Sequence, residues 1–107
     1  MSYYLLQAAY TAEAVKDLMK NPQNRRNAAQ KAIVKLGGRL EGFWFAFGHY
    51  DVVAICQMPD SVSAAALSIA VLGGGAVRFC KTTPLIIAEE AIEAMKKAGK
   101  TGYRPPY

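Results

Sequence analysis

Residues 42–60 read GFWFAFGHYDVVAICQMPD, and this stretch decides the fold. Phe43 to Phe47 is dense in aromatic residues, and Val52 to Met58 is dominated by β-branched and other apolar ones. Both compositions suit a pleated, half-buried surface. Gly48 and His49 with their neighbours leave room only for a tight reversal. The segment therefore predicts two antiparallel strands, Arg39 to Phe47 and Tyr50 to Met58, joined as a hairpin.

Upstream, Tyr3 to Tyr10 (YYLLQAAY) reads as a first strand. Thr11 follows as a helix cap whose hydroxyl can accept a backbone N–H, with Glu13 in the first turn, where the helix dipole favours an acid. Ala14, Val15, Leu18 and Met19 recur at helical spacing. Asn21-Pro22 interrupts, read as a cap and the first position of a new turn. Ala28, Ala29, Ala32, Ile33 and Leu36 then form a second apolar stripe, stopped by Gly37-Gly38.

Downstream, Pro59-Asp60-Ser61 opens a helix over Val62 to Leu72, ended by Gly73-Gly74-Gly75. Ala76 to Thr83 is a fourth strand, closed by Pro84. Ala88 to Ala98 is a last helix, with acids early and lysines late. Residues 98–107 form an extended tail through Pro105-Pro106. The order is β-α-β-β-α-β plus a C-terminal helix, an α+β, ferredoxin-like pattern in one domain spanning residues 1–107. It implies a four-stranded antiparallel sheet, strand order 4-1-3-2, with both helices on one face.

That arrangement leaves the other face bare. Tyr4, Leu6, Ala8, Val52, Ala54, Cys56, Val77 and Phe79 are expected to face the helices. Tyr3, Leu5, Gln7, Asp51, Val53, Ile55, Gln57, Arg78 and Thr82 are expected on the open side, with Phe43, Trp44, Phe45 and Phe47 contributing to both. An open face this apolar implies a partner, and the economical partner is an identical sheet in a two-fold dimer. Asp at Phe45 or Ile55 is expected to split such an oligomer.

Composition bounds the remaining possibilities. The chain has 107 residues and a formal net charge of +5. Its basic clusters, Lys20 to Arg39 and Lys96 to Lys100, lack the interleaved aromatics of a nucleic-acid groove and read as solvated faces. No apolar run is long enough to span a bilayer, and Met1-Ser2-Tyr3 does not resemble a signal peptide, so a cytoplasmic location is expected. Cys56 and Cys80 fall on strands separated by a third, at about 9.5 Å, too far for a disulfide. They read as small apolar residues, and no set of ligands for a metal or cofactor is evident.

The hairpin with Gly48-His49-Tyr50-Asp51 at its turn resembles the hallmark segment of the GYD-domain proteins, a small bacterial family. The Thr after the first strand, the basic helix ending AAxKAIxxLGG (residues 28–38), the small-residue second helix and the Val77-Arg78 pair are also similar to it. The resemblance implies a dimeric α/β-barrel fold, the group that houses small monooxygenases, haem-using chlorite-degrading enzymes and lactone isomerases. It assigns no activity. His49 at the turn and the Tyr103-Arg104-Pro105-Pro106-Tyr107 tail are departures.

Candidate chemistry is correspondingly open. His49, the one histidine, is a candidate general base or haem ligand, set against a turn role. Asp51 is a candidate acid or base, set against bonding to backbone N–H groups of its own turn. Arg78 calls for a partner, either Asp51 or a carboxylate elsewhere. Gln7, Trp44, Phe45, Tyr50 and Arg78, with Asp51 beside them, are the candidate contacts for a small molecule held between sheet and partner subunit. A cofactor-independent monooxygenase or isomerase and a purely assembly-forming protein are the alternatives. The glycine run 73–75 ends a helix instead of starting one, so it is no phosphate loop.

Overall fold

The computed structural model describes all residues, Met1 to Tyr107. Its elements run β1 (Ser2–Tyr10), α1 (Ala12–Lys20), α2 (Arg26–Lys35), β2 (Arg39–Phe45), β3 (Val52–Met58), α3 (Ser61–Gly73), β4 (Val77–Leu85) and α4 (Ala88–Ala98). The four strands form one antiparallel sheet in the order β2-β3-β1-β4. This is the α+β, ferredoxin-like arrangement that the hairpin implied.

Local chemistry explains most boundaries. The Thr11 hydroxyl accepts the Ala14 N–H at 3.1 Å, and the Asp60 carboxylate accepts the Ser63 N–H at 2.7 Å, capping α1 and α3. Gly37 and Gly75 take positive φ, +83° and +78°, at the ends of α2 and α3, which side-chain-bearing residues rarely adopt. Gly38 has a second reason to be glycine. A Cβ there would come within 2.5 Å of the Met58 sulfur and 2.6 Å of the Gln57 carbonyl.

Three details differ from the expectation. Asn21 ends α1 as its C-cap, its N–H donating to the Asp17 carbonyl, and does not begin a new helix. The next helix starts only at Arg26, whose N–H donates to Asn24 Oδ1, so Pro22 lies in the connection. The hairpin is shorter and its turn longer than expected, because the Ala46 N–H already donates to the Asp51 carbonyl and closes the ladder there. Pro84 falls inside β4, which tolerates it as an edge strand.

The core sits between the sheet and α2 and α3. It comprises Tyr4, Ile33, Leu40, Ala54, Cys56, Met58, Ala64 and Leu67. Tyr4, Ala54, Cys56 and Met58 fix which face of the sheet is inward, and the pairing registers then place every other strand residue. Tyr3, Leu5, Gln7, Trp44, Val53, Ile55, Gln57, Lys81, Thr83 and Leu85 share the helix-free face.

Two irregularities move residues off their expected sides. In β2 the register shifts between Leu40 and Gly42, so Glu41 is the extra residue. In β4 Ala9 pairs with Phe79 but Tyr10 pairs with Val77, so Arg78 is the extra residue. Such a bulge breaks the two-residue alternation. Phe79 therefore lies on the open face and Thr82 on the helix side, the reverse of the expected assignment. Strict alternation also separates Trp44 from Phe45. Phe45 pairs with Val52 on the same side as Phe43, so it belongs to the helix side.

Candidate functional site

Both faces of the sheet carry a candidate site. On the open face the hairpin turn folds over the end of β1 and β4. The His49 ring lies 4.8 Å from Tyr50 and 5.5 Å from Phe79, and Tyr50 lies 5.6 Å from Phe79, all centroid to centroid. The Arg78 guanidinium carbon stands 5.0 Å from the Phe79 ring centre, within cation–π range. Beneath this corner Ala9 is fully buried although no helix covers that face. The result is a platform of aromatic edges with one exposed cation.

Asp51 holds this turn in place. Its Oδ2 accepts the Tyr10 N–H at 2.8 Å, its own N–H donates to the Ala8 carbonyl at 2.8 Å, and its carbonyl accepts from Ala46 at 2.7 Å. The carboxylate thus serves backbone N–H bonding, but toward β1 and not toward its own turn. Arg78 does not pair with it. The one ion pair in the chain joins Arg39 Nε to Glu41 Oε1 at 3.2 Å, and Gln57 Nε2 donates to the same carboxylate. That polar trio closes the opposite corner of the open face.

Between the corners, Leu5, Val53 and Ile55 form an apolar band, and the Trp44 side chain lies across Gly42 with 54 % of the residue still exposed. A Cβ at Gly42 would collide with that indole. Of the sequence-derived ligand contacts, Gln7 and Trp44 lie on this face, and Tyr50 and Arg78 at its turn corner. Phe45 does not join them.

The second site lies between the sheet and the helices. A cavity of about 420 Å³, open to solvent along one side, is bounded by all four strands and helices α1, α2 and α3. Eighteen of its 22 lining residues are apolar, and eight of the 22 are alanines. None of α1 is buried, so that helix spans the gap without filling it. The polar side chains are Asp17, Gln23 and Arg25, and the Tyr10 hydroxyl adds a further polar group, with Cys80 in the wall. Arg25 Nη1 donates to Gln23 Oε1 at 2.8 Å. Burial raises the Tyr10 phenol pKa, with the nearby Arg25 guanidinium and a hydrogen bond from it pulling the other way. The Tyr10 and Phe45 rings stack at 6.5 Å beside this cavity. Sequence reading missed Tyr10, Arg25 and Cys80 as lining residues. The available signal was the alanine content of the α2 stripe, which reads as helix packing until the opposing surfaces prove equally small.

Both cysteines are free. Burial pushes the Cys56 thiol up to about 11. No three His, Cys, Asp or Glu side chains gather closely enough to hold a metal ion. No helix is long and apolar enough to cross a membrane.

The fold and the hairpin turn together define a class, small ferredoxin-like α+β proteins with one uncovered sheet face. The GYD domain family model matches residues 4–95, and the chain belongs to that family. No curated protein is similar in sequence. Among solved structures, the chain is similar to one described as the crystal structure of FFRP-DM1. Identity is 13 %, the TM-score is 0.45, and 80 % of this chain and 100 % of that one are covered.

Proposed function

We propose that this GYD-domain protein works as a homo-oligomer, joined through the helix-free sheet faces, and binds a small molecule where the turn corner meets the partner subunit. The carrying observation is the open face itself. Leu5, Val53, Ile55 and Trp44 make an apolar band that no element of the chain covers. Apolar surface of this kind is stabilised by removal from water, at about 25 cal/mol per Å². An identical face offers the same band, and the two-fold axis would bring the Arg39–Glu41–Gln57 corner or the His49–Tyr50–Phe79 corner against its counterpart.

The ligand reading rests on the turn corner. Aromatic rings packed edge-on and tilted beside an exposed guanidinium suit a planar molecule with an anionic group. Gln7 and Trp44, on the same face, would complete the contact. Native mass spectrometry of protein purified gently from its host tests this. The expected spectrum is an oligomer with a reproducible added mass, which Arg78→Ala and Trp44→Ala each diminish. An oligomer that never carries added mass would leave self-association standing and remove the ligand.

A further inference from the structure

We propose that the cavity between the sheet and helices α1 to α3 is a second binding site, for an amphiphile with a single carboxylate head. It lies on the opposite side of the sheet from the turn corner and does not depend on the reading of that corner.

The space is a cleft open to solvent along one side, and at about 420 Å³ it is larger than a helix layer packed closely on a sheet would leave. It falls within the ordinary range for ligand pockets. The cleft has a definite origin. Ala14 of α1, Ala28, Ala29 and Ala32 of α2, Ala70 of α3 and Ala54 of β3 all present methyl groups where a close-packed core would carry leucines. Every bounding helix contributes, so no single repacking closes the space. Water would find few partners there, because the wall is apolar in 18 of 22 positions. An apolar guest is the complement.

The polar residues decide the head group. Arg25 has no carboxylate partner, since the one ion pair of the chain is Arg39–Glu41. Its guanidinium stands beside the Tyr10 hydroxyl at the cleft margin, so a carboxylate there would meet a cation and a phenolic O–H together. Asp17 also borders the cavity, so an ammonium head is the competing chemistry. Asp17 has no side-chain hydrogen bond, and no second acceptor side chain is paired with it as Tyr10 is with Arg25.

Decanoate is a suitable probe, with 1-decanol and decylamine as controls, titrated into the full chain by calorimetry. Saturable decanoate binding is expected, and Arg25→Gln should weaken it about tenfold or more while leaving 1-decanol unaffected. Bound decanoate should also slow chemical labelling of Cys80, which lines the wall. The paired Ala32→Leu and Ala70→Leu substitutions should abolish binding by filling the space. Should that double variant not fold, Cys80 protection and the Arg25→Gln comparison still decide. Absence of saturable binding, tighter binding of decylamine, or equal loss of decanoate and 1-decanol on Arg25→Gln would each overturn the proposal.

Discussion

Asp51 joins three backbone positions, Tyr10, Ala8 and Ala46, and so fixes the hairpin turn against β1. Its carboxylate acceptor is partly buried, and removing it strands the Tyr10 N–H. Asp51→Ala should therefore lower stability by about 1–3 kcal/mol in urea titrations, with Asp51→Asn less damaging because it keeps an acceptor. Thr82 presents the reverse case. Its Oγ1 is buried with no hydrogen-bond partner, and the isosteric Thr82→Val should be neutral or stabilising by about 1 kcal/mol in the same assay. The two thiols differ as well. Cys56 is wholly buried and its thiol is held protonated, whereas Cys80 is half-buried at the cavity wall. A thiol reagent at pH 8 should modify Cys80 well before Cys56. At this scale the sequence was informative about kind but not about partner. A backbone-bonding role for Asp51 follows from its residue type and its place at a turn. The N–H it serves lies 41 residues away and becomes visible only when β1 and β3 pair.

Among the elements, α3 depends on its cap. The Ser63 N–H holds the Asp60 carboxyl below its ordinary pKa, so ionised Asp60 favours the folded state. That contribution is present above the unfolded pKa of about 4 and is lost as pH falls through the lower folded value. Asp60→Ala should thus be less stable than wild type at pH 7, and the difference should vanish near pH 2 in thermal melts. Helix α4 is amphipathic but unattached. None of it is buried, and Ile92 and Met95 are 52 % and 69 % exposed. These element boundaries were legible because caps, glycine stops and periodicity are local signals. The facing of β4 was not. A bulge at Arg78 leaves no recognisable sequence feature, yet it turns Phe79 outward and Thr82 inward.

The whole molecule is open. Its radius of gyration is 17.0 Å, where a compact chain of this length would have about 13 Å, and it extends 57 Å along its longest axis. Only 10 of 107 residues are buried. A core that small supports little independent stability. A second copy packed on the uncovered sheet face and α4 would supply the remainder. Stability should then rise with protein concentration, because association favours the folded form by mass action. The sequence made the bare face legible through the alternating apolar residues of β1 and β3. It could not show the cavity on the other face, which arises where alanines from separate elements meet.

Sedimentation velocity is the decisive test of self-association through the helix-free face. Wild type, Ile55→Asp and Phe45→Asp would be compared at equal concentration. Ile55 sits in the middle of the open band and Phe45 on the helix side. Wild type and Phe45→Asp should therefore sediment as oligomers, and Ile55→Asp as a folded monomer. A monomeric wild type, or an Ile55→Asp variant that sediments as wild type does, would rule out this interface.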